Sequence, residues 1–138
     1  MTENRRSVHL SWTGEDLRFQ GGPEGGPWVS MDGSSREGPA PMEMLLLSLA
    51  GCMAVDMKVI LEKSRVPLEG MDVEVEGVRA EDDPKRYTRI EMTFHLEGPG
   101  EEDEGRIARA VELSRDKYCS VFHTLRLDMD VEIHTRRR

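Results

Sequence analysis

Two cysteines, Cys52 and Cys119, are the side chains of this 138-residue sequence most able to do redox chemistry. A cysteine thiolate is a strong nucleophile, and two thiols that meet can form a reversible disulfide. Permanent disulfides are rare in the cytoplasm, so a cysteine pair in that compartment favours transient redox chemistry. The alternative interpretation is a buried structural Cys52, because free cysteine also behaves as a small hydrophobe.

The neighbours of the two cysteines differ. Cys52 lies in the apolar stretch 45–55, between small residues that include Gly51. Cys119 follows Lys117 at the predicted start of a short helix, and both a cation and a helix N-terminus lower the pKa of a thiol. These local features predict that Cys119 is the better thiolate and Cys52 the more hidden residue.

A metal site is the competing use of the same residues. Cys119 and His123 are four residues apart, as two ligands on one helix face would be, and Cys52 could add a third. A structural zinc site takes four ligands, and no CxxC or HExxH motif accompanies these three. We therefore predict that His123 is an ordinary polar residue and that no metal is bound.

Composition excludes several classes of protein. The net charge of −8, with acidic and basic residues interspersed, argues against nucleic-acid binding, which needs a concentrated basic surface. The N-terminal residues lead into no apolar signal core, and the stretch 45–55 is shorter than the ~20 residues of a membrane span. We expect a cytoplasmic protein with one domain, residues 1–138, and frayed tails at 1–6 and 136–138.

The elements that position the cysteines follow from the periodicity of apolar residues. The predicted strands are 7–12, 17–20, 28–31, 71–78, 87–96 and 127–133, and the predicted helices are 41–64, 101–116 and 119–125. The glycine-rich segment 21–27 is predicted to be a loop, and Asp82–Lys85 a hairpin turn. The order βββαββααβ predicts an α+β domain with an antiparallel sheet and a buried central helix.

The first half of the central helix is apolar on every face, from Met44 to Val55. Such a helix must be covered on all sides. One small sheet and one other helix cannot cover it, so we predict a homodimer in which the subunits shield each other's central helices.

Two segments carry a family resemblance. Residues 38–52, GPAPMEMLLLSLAGC, closely resemble the OsmC and organic hydroperoxide resistance (OsmC/Ohr) superfamily, as does their continuation to Lys63. Residues 110–121, AVELSRDKYCSV, resemble the second cysteine motif of that family. The resemblance extends from about Val8 to Ile133, and it implies an OsmC-like α+β fold built as an intertwined homodimer.

The resemblance also implies a cysteine peroxidase cycle without metal or organic cofactor. Cys52 would attack an organic hydroperoxide and become a sulfenic acid. Cys119 would attack that sulfur to form a disulfide, and a dithiol reductant would reset the pair. A non-catalytic dimer that binds an apolar ligand, with helix methionines lining its pocket, is the alternative, as is a redox sensor.

Peroxide attack requires a thiolate, and an unperturbed thiol has a pKa of about 8.5. Active family members use an arginine held by a glutamate, and by position Arg18 is the candidate arginine, with Arg36 the runner-up. Either arginine could instead be a solvated surface residue. Glu43 is the candidate glutamate, but Met42 separates it from the motif proline, and nine residues to Cys52 is half a turn off register. This departure resembles the general OsmC-like branch, and Glu43 could serve only the helix dipole.

Overall fold

Strands and helices follow one another in the predicted order βββαββααβ within the part of the chain that the computed structural model describes, residues 3–126 and 128–138. The α+β class is confirmed. The chain divides into two units, Met1–Leu45 and Leu46–Arg138, and each is described by itself. The single-domain organisation stays a prediction.

The first unit contains a three-stranded antiparallel meander with β2 in the middle. Its strands are β1 (Val8–Trp12), β2 (Arg18–Pro23) and β3 (Val29–Asp32). The prediction that 21–27 is entirely loop is wrong, because Gly21 and Gly22 pair with Leu10 and His9 of β1. Glycine keeps both backbone groups that a ladder needs, so glycine richness does not prevent pairing when a partner strand lies alongside.

Helix α1 spans Pro41–Lys63, in agreement with the predicted helix at 41–64. Pro41 occupies the first helical position, where its missing N–H costs nothing. The Ala40 N–H donates a 2.9 Å hydrogen bond to Glu43 Oε1, which is the carboxylate half of a capping box. At the other end Arg65 adopts a left-handed conformation with φ 60°, which ends the helix, and Pro67 prevents continuation.

Within this chain α1 is covered on one side. Its buried residues are Leu49, Ala50, Met53, Met57 and Leu61. Leu47, Val55 and Val59 on the other side remain 57%, 64% and 43% exposed. By length and composition alone α1 could cross a membrane, a criterion that core helices of soluble proteins also meet. The expected central helix is therefore present, and residues 3–126 and 128–138 leave one of its apolar faces uncovered.

The second unit holds a three-stranded sheet with β5 in the middle. Its strands are β4 (Gly70–Arg79), β5 (Tyr87–Glu97) and β6 (Asp130–Arg137). Alternate residues of β5 are buried and, with the buried side of α1, form the core: Ile90, Met92, Phe94 and Leu96. β4 and β5 pair antiparallel, around the predicted hairpin turn, but β5 and β6 pair parallel, which corrects the wholly antiparallel expectation. The reason is the long helical crossover after β5, which returns the chain to the same end of the sheet.

The C-terminal strand corrects a second expectation. β6 begins at Asp130 and ends at Arg137, whereas the predicted strand was 127–133, and Leu127 lies outside the described residues. The expectation of a frayed tail at 136–138 is wrong. Arg137 pairs with Leu96 in the ladder, and Arg138 Nη1 lies 2.9 Å from Asp72 Oδ2. Backbone pairing and ion pairs together hold these residues against the sheet.

The crossover carries the second cysteine. It contains a 3-10 turn (Glu101–Asp103), α2 (Glu104–Leu113), a π turn (Ser114–Tyr118) and α3 (Ser120–Thr124). The predicted helix at 101–116 thus ends as an α-helix at Leu113 and continues as the π turn. Ile107, Ala110 and Ser114 are buried, on the side that their spacing predicts.

Candidate functional site

The thiols of Cys52 and Cys119 are neighbours in the second unit, close enough for Cys52 to influence the pKa of Cys119, and neither is part of a disulfide. Helix α1 presents Cys52 about three turns from its start. The π turn delivers Cys119 from the crossover, so residues far apart in the sequence meet at one point. Two adjacent thiols can be interconverted with a disulfide, which is the chemistry that this pair can support.

The two thiols differ in exposure, in the opposite sense to the prediction. Cys119 is completely buried, whereas Cys52 is partly exposed. Burial is the largest of the effects that raise the pKa of Cys119 from 9.0 to about 11. The Phe122 N–H donates a 3.4 Å hydrogen bond to the Cys119 Sγ, and this bond opposes the rise of the pKa. Contact with Cys52 and the charge of Asp56 add to the rise. The prediction that Cys119 is the better thiolate is therefore wrong, because loss of hydration outweighs the helix N-terminus.

A carboxylate and a hydroxyl, neither of them a predicted site residue, complete the surroundings of the thiols. Asp56 lies four residues after Cys52, hence one turn along the same face of α1. Ser114 is buried, and its Oγ donates a 2.8 Å hydrogen bond to Asp56 Oδ2. The spacing of four between Cys52 and Asp56 was the sequence signal that could have revealed the carboxylate.

A cavity of about 400 Å³ opens beside Asp56, between α1 and the end of α2. Its lining residues are Asp56, Val59, Ile60, Lys63, Ser64, Leu113 and Tyr118. Most of the wall is apolar, and a single cation, Lys63, stands among these lining residues. Such a cavity suits a small apolar molecule or the tail of an amphipathic one.

The candidate arginines both lie in the first unit. Arg18, at the start of β2, forms ion pairs with Asp16 at 3.2 Å and with Glu15 at 3.3 Å. Arg36 is exposed in the loop that follows β3. The buried carboxylate of Asp32 organises that loop by accepting the Ser34 N–H at 2.8 Å. The role of either arginine beside Cys52 stays a prediction.

Glu43 has a structural task at the beginning of α1. Its carboxylate accepts hydrogen bonds from the Ser35 hydroxyl and the Ala40 N–H. These two donors, the hydroxyl first, hold the pKa of Glu43 below its ordinary value. The position of this carboxylate at the helix N-terminus agrees with a role in capping α1 and complementing its dipole. Participation of Glu43 in catalysis stays a prediction.

Two groups of residues offer potential metal ligands. His123 is exposed on α3, whereas Cys119 is buried, so the ligand pair suggested by their spacing faces different surroundings. Among the described residues, Glu91, Glu132 and His134 place ligand atoms within 4.8 Å of one another. Arg89 already pairs with both of these carboxylates, at 3.0 and 2.9 Å, which accounts for the cluster as an ion-pair network across β5 and β6.

Comparison with known proteins finds a family and individual proteins that are similar to most of this chain. The family model described as OsmC-like protein matches residues 32–134. Protein YhfA of Escherichia coli is 39% identical over 115 residues, which are 83% of this chain and 84% of that protein. A hypothetical protein from Aquifex aeolicus is similar in structure, with a TM-score of 0.84, 28% identity and coverage of 99% of this chain and 98% of the other. The organic hydroperoxide resistance protein OsmC of Legionella pneumophila has a TM-score of 0.67, 14% identity and 98% coverage of both chains.

Proposed function

Because the chain belongs to the OsmC-like protein family, we propose that its cysteine pair reduces organic hydroperoxides as part of the defence against oxidative stress. One observation carries the proposal: the contact between the thiols of Cys52 and Cys119. The family membership and the fold shared with the Legionella protein are consistent with hydroperoxide chemistry. We propose that this activity takes place in the cytoplasm, where disulfides are usually transient and belong to catalytic or redox-sensing cysteines.

Cys52 is the residue that attacks the peroxide in this scheme, because it is the partly exposed thiol of the pair. The Cys52 thiolate attacks the outer oxygen, the O–O bond breaks, and the departing alkoxide takes up a proton to become an alcohol. Cys52 is left as a sulfenic acid. Cys119, whose raised pKa keeps it a protonated thiol near neutrality, does not compete for the peroxide.

Cys119 then resolves the sulfenic acid. Its sulfur attacks the Cys52 sulfur, the S–S bond forms, and the hydroxyl group of the sulfenic acid leaves with the thiol proton as water. A dithiol reductant exchanges with this disulfide, becomes a disulfide itself, and returns both cysteines to thiols. The cycle uses no metal and no organic cofactor.

A cation beside Cys52 is a further part of the proposal, because peroxide attack needs the thiolate. Arg18 is the proposed cation, and Arg36 the second choice. Arg18 keeps carboxylate partners in its own hairpin, which fix its guanidinium. Glu43, held at the start of α1, is the proposed acidic partner of that arginine.

A homodimer completes the proposal. Leu47, Val55 and Val59 form an exposed apolar stripe along α1, the same helix that carries Cys52. A second copy of the chain that covers this stripe would exclude water from the side of the helix next to the cysteine.

Mass spectrometry of the reduced protein after treatment with cumene hydroperoxide tests the proposal. We expect the loss of two hydrogens, a cross-linked peptide containing Cys52 and Cys119, and sustained turnover when a dithiol is supplied. Cys52→Ser should abolish turnover, and the variant lacking both cysteines provides the background rate. Undiminished turnover in Cys52→Ser would overturn the assignment of roles.

An apolar hollow in the first unit favours the second candidate, a dimer that binds an apolar ligand without catalysis. The hollow measures about 310 Å³, and it is lined by residues that include Val8, Leu10, Val29, Met31 and Met44. Stoichiometric but very slow oxidation of the thiols by cumene hydroperoxide would favour this candidate. Rapid disulfide formation without dithiol-driven turnover would instead favour a redox sensor.

A further inference from the structure

A chain of hydrogen bonds connects the helix that carries Cys52 to the turn that carries Cys119. Asp56 begins the chain, one helical turn after Cys52, and its Oδ2 accepts the 2.8 Å hydrogen bond from Ser114 Oγ. Ser114 is 1% exposed, so water does not compete for its hydroxyl. A buried hydroxyl that lost this partner would be left unsatisfied, which makes the contact costly to break.

Ser114 connects directly to Cys119 through the backbone. The Cys119 N–H donates a 2.8 Å hydrogen bond to the Ser114 carbonyl oxygen, and this bond closes the π turn Ser114–Tyr118. A π turn is wider than an α turn by one residue, so it changes the direction of the residues that follow it, and such turns are frequent at functional sites. Here the residue that follows the turn is Cys119, whose sulfur meets that of Cys52.

We propose that Asp56 and Ser114 are a pair of positioning residues that hold the Cys119 segment against α1. The Cys119 sulfur is then already next to the Cys52 sulfur in the reduced protein when the disulfide forms. This inference rests on the proposed function, since it describes the resolving step of that cycle. The pair acts by removing conformational freedom from the reduced protein, so that little entropy is lost when the S–S bond forms.

The charge of Asp56 gives the pair a second effect. After burial, which is the largest cause, and contact with Cys52, the carboxylate of Asp56 contributes to the raised pKa of Cys119. Cys119 therefore remains a protonated thiol beside Cys52 until the resolving step. Its proton then combines with the hydroxyl group of the sulfenic acid, which leaves as water. The same side chain thus orders the resolving thiol and adds to the effect of burial, which keeps the thiol protonated.

The test is the thiol–disulfide equilibrium of the purified protein with reduced and oxidised dithiothreitol at pH 7. In this exchange the protein dithiol is oxidised while the oxidised reagent is reduced, so no hydroperoxide enters. We expect Ser114→Ala and Asp56→Ala each to shift the equilibrium about tenfold toward the dithiol, the effect of one lost buried hydrogen bond. Asp56→Asn keeps an oxygen acceptor and should remain within about threefold of wild type on the same scale.

The controls separate positioning from general damage. Glu62→Ala removes another carboxylate from α1, one that pairs with Lys58 at 3.3 Å on the exposed side, and should leave the equilibrium unchanged. Thermal melts confirm that each variant is folded at the temperature of the measurement. The double variant Asp56→Ala/Ser114→Ala should shift the thiol–disulfide equilibrium no further than either single variant does, because the two residues make one contact.

An unchanged equilibrium in Ser114→Ala or in Asp56→Ala would overturn the inference, as would additive losses in the double variant. The outcome is independent of peroxidase activity. A wild-type protein that forms the disulfide readily but does not turn over hydroperoxide would refute the proposed function and leave the positioning pair standing. Hydroperoxide turnover by the wild-type protein, together with an unshifted equilibrium in the variants, would support the proposed function and refute the positioning pair.

Discussion

Cys119 buries its thiol completely against the partly exposed thiol of Cys52. This contact divides the chemistry between two residues of the same type. The buried thiol has a pKa raised to about 11 and stays protonated near neutrality. The accessible thiol is left as the one that can meet a substrate.

Removal of the resolving thiol should expose Cys52 to further oxidation. In Cys119→Ser we expect Cys52 to pass beyond the sulfenic acid when several equivalents of cumene hydroperoxide are added, because no thiol intercepts it. Intact mass spectrometry should record a gain of two or three oxygen atoms, located on Cys52 by peptide analysis. Cys52→Ser is the matched control and should gain none at position 52. Equal overoxidation of the wild-type protein would contradict a resolving role for Cys119.

The raised pKa of Cys119 predicts a loss of stability in alkali. Well below pH 9 the thiol is protonated in both the folded and unfolded states, so it adds no pH dependence. Between pH 9 and about 11 the unfolded state releases this proton and the folded state keeps it, so the free energy of unfolding falls with rising pH. The fall should reach at most about 3 kcal/mol, the equivalent of two pKa units.

Urea denaturation at several pH values measures this fall, and Cys119→Ala is the comparison. Lysine and tyrosine titrate in both proteins, so the difference between their pH profiles isolates the thiol. Identical slopes between pH 9 and 11 would contradict the raised pKa.

Replacement of Arg18 should slow peroxide reduction if this residue is the activating cation. A thiol that loses a neighbouring cation is less ionised, and one pKa unit lowers the thiolate fraction about tenfold. We therefore expect Arg18→Ala to reduce kcat/KM for cumene hydroperoxide by about tenfold or more. Arg36→Ala is the matched variant from the loop after β3. A loss in Arg36→Ala with none in Arg18→Ala would exchange the two assignments.

A charge placed on the exposed stripe of α1 should dissociate the proposed dimer. Val55 is 64% exposed in the single chain, so Val55→Asp costs little there. At an interface with a second copy the same carboxylate would be buried without a partner. Analytical ultracentrifugation should find a dimer for wild type and a monomer for Val55→Asp. Val78→Asp, at a valine of β4 that is 46% exposed, is the control, and a wild-type monomer would refute the dimer.

Local patterns were sufficient for the elements and insufficient for their ends. Alternation along β4 and β5 and the apolar run of α1 predict these elements because each pattern matches a backbone period. Pairing between strands is a property of two segments, so the extension of β2 through Gly21 and of β6 through Arg137 could not be read from either segment alone. The parallel pairing of β6 likewise depends on where the crossover returns the chain.

By itself, the sequence determined the class of fold, the central helix, the family and the two cysteines, because these reside in local periodicity and in two motifs. Only the tertiary structure decided which thiol is buried and that the two thiols are neighbours. It also decided that Asp56 and Ser114 connect the helix that carries Cys52 to the turn that carries Cys119. The physical reason is that burial and its effect on the pKa of Cys119 depend on every segment packed around the sulfur. The helix N-terminus and the neighbouring Lys117 are local, and desolvation, which is not, outweighs them.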